Sequence, residues 1–258
     1  MTIIYKTQSA YQAIQVGERN GLRYMRFGDE GSGWQGAFLI RQPKRLYFPY
    51  QQAFAMHTAW RPVVKNFLSI GVGTGTAIRH IYHRHKNARV TGIDLDDQVI
   101  DVAKRFFGLP NNERAHYIAR DARSGLAEVN DVFDLIFMDV FFREQTPKAF
   151  FSPEFLQLLE YHLVAQGLLA INVIMPIKGP FRESFWSLNT LLQRMIGPTF
   201  YIALGPVPFL SQNIILFVQK GPVKVSTLTD LRKKCLQEIE QGKNYFAPYA
   251  KILPWRLK

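Results

Sequence analysis

Between Phe67 and Asp97 the chain reads FLSIGVGTGTAIRHIYHRHKNARVTGIDLDD. A short apolar run, Phe67-Leu68-Ser69-Ile70, leads into three alternating glycines, Gly71, Gly73 and Gly75. Apolar Ala77, Ile78, Ile81 and Tyr82 then recur at helical spacing, and a second apolar run, Val90 to Ile93, ends on Asp94. This is the outline of a strand, turn, helix, strand unit with an acid at the tip of its second strand. Alternating glycines let the backbone turn sharply and leave no side chain between the turn and a ligand. The helix N-terminus beyond them presents unpaired N–H groups. Asp94 lies 19 positions past Gly75, where a carboxylate can accept two hydrogen bonds from ribose hydroxyls. The pattern is a nucleoside-binding one. Its G-x-G-x-G spacing differs from the G-x-G-x-x-G of dinucleotide enzymes and disfavours a pyrophosphate-bearing cofactor.

Residues 1–60 read as a small β-rich domain, with alternation over Tyr11–Val16 and Leu22–Phe27 around a turn at Glu18–Gly21, then a short strand at Ala37–Ile40. Tyr47–Trp60 reads as helical, and Arg61-Pro62 marks a boundary, because proline disfavours helix at the residue before it. Over 61–258 strands alternate with helices. Strands are expected at Phe67–Ile70, Val90–Ile93, His116–Ile118, Asp134–Met138, Leu168–Val173 and Ile214–Val218. Helices are expected at Thr76–His85, Asp97–Phe107, Phe151–Leu163, Phe181–Ile196 and Thr227–Gln241. Such alternation predicts an α/β fold, a mainly parallel twisted sheet with helices on both faces.

A hydrophobic content of 47% over 258 residues suffices for a sizeable core. No stretch approaches the roughly 20 apolar residues of a membrane span, the N-terminus lacks the apolar core of a signal peptide, and the one cysteine, Cys235, excludes an internal disulfide and a cysteine-based metal cluster. These features point to a cytoplasmic protein without membrane attachment. The net charge of +12 favours anionic partners, among them nucleic acid, an acidic protein or an anionic metabolite. The basic residues are scattered, and no dense basic block with interleaved aromatics marks a nucleic-acid groove. His80, His83 and His85 crowd one helix, but no second cluster completes a metal site, so no metal is expected.

Four strand ends carry polar groups fit to line one crevice: the Gly71–Gly75 turn, Asp94, Asp121 in IARDARSG, and Asp139 in LIFMDV. In open α/β sheets, ligands bind outside the carboxyl ends of the strands. Asp121 suits an adenine amino group. Asp139 follows a mostly apolar strand, and burial there would raise its pKa, the tuning that a general base needs.

On these motifs the chain resembles the spermidine synthase family, the polyamine aminopropyltransferases. The similar segments are SAYQAIQV, FPYQQAFAMH, SIGVGTGT, DLDDQVIDVAK, RDAR, MDV, FFSPEFLQLL and Asn213–Phe217. The resemblance implies a small N-terminal β domain followed by a Rossmann-like class I methyltransferase fold. It implies a nucleoside donor, S-adenosylmethionine or its decarboxylated form, bound as a substrate without metal, and a homo-oligomer, dimer or tetramer. It assigns Gln12, Gln51, Gly71, Gly73, Thr74, Gly75, Asp94 and Asp121 to the nucleoside, Asp139 to catalysis, and Tyr50 and the position of Phe142 to the acceptor side.

Two positions depart from the family pattern. Thr74 stands where the family's glycine turn carries an acid for the aminopropyl amine, and Phe142 stands where a second acid serves the polyamine. Decarboxylated S-adenosylmethionine ends in a bare ammonium and favours a carboxylate partner, whereas the intact donor also carries a carboxylate that an acid at 74 would repel. A charge-assisted hydrogen bond is roughly twice as strong as a neutral one, so the cation half of the site is weakened. The reading slightly favours methyl transfer to an unknown acceptor. Aminopropyl transfer is the alternative, and a non-catalytic basic module for RNA or acidic protein is a third reading.

Overall fold

In the computed structural model, the structure describes residues 2–28, 32–141, 148–222, 227–240 and 248–258. The chain begins with an antiparallel four-stranded sheet: β1 (Thr2–Gln8), β2 (Ala13–Arg19), β3 (Leu22–Phe27) and β4 (Trp34–Leu39), in that order. The β2–β3 turn places Asn20 and Gly21 both at positive φ, 50° and 76°, the backbone twist that a two-residue hairpin loop requires. β1 alternates exposed and half-buried residues, as an edge strand does.

Next come α1 (Pro49–Ala55) and a 3-10 turn, Met56–Ala59, where one longer helix was expected. The alternating part follows: β5 (Asn66–Ile70), α2 (Thr76–Arg84), β6 (Arg89–Asp94), α3 (Asp97–Phe107), β7 (Ala115–Ala119), α4 (Ala122–Ala127) and β8 (Phe133–Met138). The chain continues through α5 (Pro153–Tyr161), β9 (Leu163–Met175), α6 (Glu183–Met195), β10 (Thr199–Ala203), β11 (Gln212–Gln219), α7 (Leu228–Glu240) and α8 (Leu253–Arg256).

The large sheet has the order β10-β11-β9-β8-β5-β6-β7. Neighbours from β9 to β7 pair in parallel, and β11 alone runs against both of its neighbours. Because successive side chains in a strand point to opposite faces, the apolar runs feed two cores. Phe67, Leu135, Phe137, Ile215 and Phe217 meet Phe54, Ile78, Ile81 and Leu231 on one face. Leu68, Ile136, Met138, Leu216 and Val218 meet Leu126, Leu156, Phe185 and Leu188 on the other. This is why these strands read as continuous hydrophobic runs rather than as alternating ones.

The small sheet leans on α3 through a third cluster, Ile14, Val16, Met25 and Phe38 against Val99, Val102 and Phe107. The C-terminal segment anchors in the core through Leu253 and Leu257, which are fully buried, and Leu257 bridges to Ile202 of β10.

Candidate functional site

The parallel strands deliver their carboxyl ends to one edge, and the polar residues singled out in the sequence collect there. After β5, Gly71, Gly73 and Gly75 take φ values of 86°, 50° and 70°. Gly71 is fixed by close approach of backbone: a Cβ there would lie 2.3 Å from the Asp139 carbonyl oxygen, whereas one on Gly75 would meet the Leu109 side chain, its Cδ1 2.4 Å away. Three strand ends are stitched together around Gly71, with its N–H donating to Ile93 O of β6 at 2.8 Å and Asp139 N–H, just past β8, donating to Ile70 O of β5 at 2.9 Å. Gly73 faces open space, since a Cβ there meets nothing within 4 Å.

Asp94 braces this turn from the tip of β6. Its Oδ2 accepts from the Val72 N–H at 2.8 Å and the Gly73 N–H at 3.4 Å, and its Oδ1 accepts from Asp96 N–H at 3.1 Å. Burial raises its pKa, and these backbone donors oppose the rise. Asp121, exposed past β7, caps α4 by accepting from the N–H groups of Arg123 and Ser124, each at 3.1 Å. The Ser124 hydrogen bonds hold its carboxyl below the usual range.

Asp139 follows β8 at the same edge of the sheet. Burial pushes its carboxyl up to about 6, and a hydrogen bond from Asn172 Nδ2 of β9, at 2.9 Å, partly offsets that. Tyr50 stands close enough for burial and the Asp139 charge together to lift its hydroxyl well above the ordinary tyrosine range. Gln51 is buried and serves α1 first: its Oε1 accepts from Phe48 N–H at 3.2 Å, while its Nε2 donates to the Tyr50 hydroxyl at 3.4 Å. Phe48 stacks on Tyr50, with centroids 5.9 Å apart. Thr74 is 4% exposed and lies under β4, where a Cβ on Gly36 would come within 2.3 Å of its Oγ1. Its hydroxyl pairs with Thr76 Oγ1 at 3.0 Å. Phe142 lies outside the described residues.

Gln12 sits in the β1–β2 turn, which is tied to the β6–α3 connection by a pair that the sequence reading missed. Ser9 Oγ donates to Asp96 Oδ2 at 2.6 Å and accepts from Gln12 N–H at 3.0 Å. Asp96 is 2% exposed and caps α3 through Gln98 N–H at 3.1 Å. Asn172 was also missed. Its signal was a single amide inside the apolar run Leu168–Met175, an isolated polar side chain that needs a buried partner. Among the described residues no group of three or more His, Cys, Asp or Glu is arranged to hold a metal. His57, His80 and His85 gather beside Phe54, their rings 5.8–5.9 Å apart about His57. Among the described residues no helix is long and apolar enough to cross a membrane.

Comparison with known proteins matches the model of the spermine/spermidine synthase domain to residues 48–228. A polyamine aminopropyltransferase of Vibrio vulnificus is 28% identical over 181 residues, covering 66% of this chain and 59% of that protein. The chain spans less than two thirds of the length of the first curated relatives that it matches. Among solved structures, a probable spermidine synthase from Corynebacterium glutamicum superposes with a TM-score of 0.77 at 19% identity, covering 92% of this chain and 88% of that one. Human methyltransferase-like protein 13, in complex with SAH, gives 0.64 at 19% identity, covering 76% and 92%. The architecture is thus the Rossmann-like class I methyltransferase fold with a small N-terminal antiparallel sheet.

Proposed function

The chain belongs to the spermine/spermidine synthase family, and from that membership we propose that it binds an S-adenosylmethionine-type nucleoside and transfers a group from its sulfonium, an aminopropyl group passing to an amine acceptor. The observation that carries this reading is Asp139, a carboxyl raised to about 6 by burial, held by Asn172 and backed by the Gly71 turn. A group with that pKa is ionised at neutral pH and a stronger base than an ordinary carboxylate, suited to accept the acceptor nitrogen's proton as the new bond forms.

In the proposed reaction the acceptor nitrogen gives a proton to Asp139 and attacks the carbon next to the sulfonium. The C–N bond forms as the C–S bond breaks, and its electron pair goes to sulfur, leaving a neutral thioether nucleoside. The sulfonium is already activated, so positioning supplies most of the catalysis. Asp94 is assigned to the ribose, where its braced oxygens can also accept from hydroxyls. Asp121 is assigned to the adenine amino group, and Gln12 to the nucleoside from the small sheet. Gly73 leaves room for the donor in front of the turn. Gln51 is assigned to holding the Tyr50 hydroxyl, and Tyr50 and Phe142 to the acceptor side. The family's homo-oligomeric habit belongs to the same proposal and is checked by light scattering.

One observation favours a second reading, methyl transfer from the intact donor: Thr74 offers no carboxylate to an aminopropyl ammonium. The same experiment separates the two. The protein is incubated with decarboxylated or intact S-adenosylmethionine and a panel of di- and polyamines, and the products are resolved by mass spectrometry. Methylthioadenosine with an aminopropylated amine supports the first reading, and S-adenosylhomocysteine supports the second. Calorimetric titration that finds no binding of either donor overturns both.

A further inference from the structure

A concavity lies along the flank of α2. Thr76, Arg79, His80, His83 and Arg84 present one helical face, and Pro43, Lys44 and Leu46 of the segment between β4 and α1 close over it. At 1.5 Å per residue, His83 stands about 10 Å along the helix axis from Thr76. The lining is basic and contains no carboxylate. Arg84 is already committed, since its guanidinium pairs with Glu238 of α7.

Arg79 is the unusual member. It is 5% exposed, and no carboxylate pairs with it among the described residues. One Nη donates to Pro43 O at 2.8 Å and the other to Thr76 Oγ1 at 3.3 Å, while Nε has no acceptor at all. The Phe38 ring, 5.2 Å from its Cζ, is its remaining support. A buried guanidinium held only by a carbonyl, a hydroxyl and a ring is under-compensated, and burial alone brings its pKa down to about 10. Lys44 and His83 sit at the mouth, both exposed. Partial burial, and after it the charges of Lys44, Arg79 and Arg114, hold the His83 imidazole below the ordinary pKa. Three cationic or protonatable groups therefore converge on one concavity with no anion among its lining residues.

We propose that this pocket, lined by Lys44, Arg79 and His83, binds a phosphate-type dianion, either the free ion or the terminal phosphoryl group of a small metabolite. Such a group would offer charged oxygens to the unpartnered Arg79 Nε and to the Lys44 ammonium at the mouth, and both residues prefer charged acceptors. Bound phosphate would also favour protonated His83, adding a third charged donor. The pocket spans the segment that links the small sheet to the large one and the helix that follows the nucleoside-binding turn, so an occupant would clamp the two together.

The test is calorimetric titration of the full chain with inorganic phosphate and, separately, glycerol 3-phosphate, in buffer held at constant ionic strength with sodium chloride. The comparison protein is the double variant Lys44→Ala/His83→Ala, whose altered side chains are exposed and leave Arg79 and its structural bonds in place. NMR of the His83 ring, titrated with and without phosphate, locates the ligand. Saturable one-to-one binding that weakens about tenfold or more in the double variant, with the His83 pKa moving up on phosphate addition, supports the site. Tighter binding of the monoester assigns the phosphoryl group of a metabolite, and tighter binding of inorganic phosphate assigns the free ion. No saturable binding, equal binding by the double variant, or a response reproduced by sodium chloride alone overturns it. Nucleoside-donor binding is independent of these outcomes, so failure here leaves the reaction proposed above untouched.

Discussion

Replacing Asp139 by asparagine should make the protein more stable and less active at once. Burial lifts the Asp139 carboxyl from 3.8 to about 6, so the folded chain holds this proton more tightly than the unfolded chain does. Its contribution to stability is complete below about pH 4 and is lost as pH rises through about 6. Two pK units at about 1.4 kcal/mol each set an upper bound near 3 kcal/mol. Asp139 is partly exposed, and screening brings the expected penalty to about 1–2 kcal/mol. Asparagine carries no charge, keeps the shape, and leaves an amide oxygen for the Asn172 Nδ2 donor. Urea denaturation at pH 8 should therefore show Asp139→Asn about 1–2 kcal/mol more stable than the parent, with the gain closing below pH 4. Turnover should fall by about 10²–10⁴, the usual contribution of a positioned base. A variant less stable than the parent at pH 8, or a gain that does not vary with pH, would refute the argument that Asp139 is held ionised at a cost to the fold.

Three further outcomes are expected. Gly71→Ala should destabilise by at least about 2 kcal/mol, because the left-handed φ and the Asp139 carbonyl 2.3 Å away both oppose a Cβ; Gly73→Ala meets open space and should cost about 1–2 kcal/mol, the backbone share alone. Thermal unfolding of the two side by side checks the difference. Asn172→Leu removes the hydrogen bond that stabilises ionised Asp139, so the acid limb of the pH–rate profile should move up by about one to two units; an unmoved limb would mean that another group titrates. Ser9→Ala leaves the buried Asp96 Oδ2 without its 2.6 Å partner and should cost about 1–3 kcal/mol, with hydrogen exchange quickening first in β1 and β2.

The sequence disclosed those parts of the fold that depend on local pattern. Apolar runs such as Phe67–Ile70 and Asp134–Met138 read as strands because burial on both sides leaves them no polar face. The acids Asp94, Asp121 and Asp139 stood out because each interrupts a pattern at a strand end. β10, Thr199–Ala203, was not seen, since Thr199, Phe200 and Tyr201 are only half-buried and the strand lies at the sheet's edge. The reversal of β11 was also invisible, because hydrophobicity does not encode strand direction. α4 has six residues and was too short to show a helical period. The pairs Ser9–Asp96 and Asn172–Asp139 join residues 87 and 33 positions apart, and no local pattern reports such a meeting.

The packing of Thr74 beneath Gly36 links two positions that evolution or an engineer would otherwise treat separately. An acid placed at 74 by itself would put a carboxylate at a site 4% exposed, pressed against a strand with no side chain at the point of contact. Conversely, any side chain added at 36 would press first on Thr74. Position 74 is therefore constrained by the turn that carries it and by the strand above it. A larger residue at either position must be accommodated at both, by a shift of β4 against the turn.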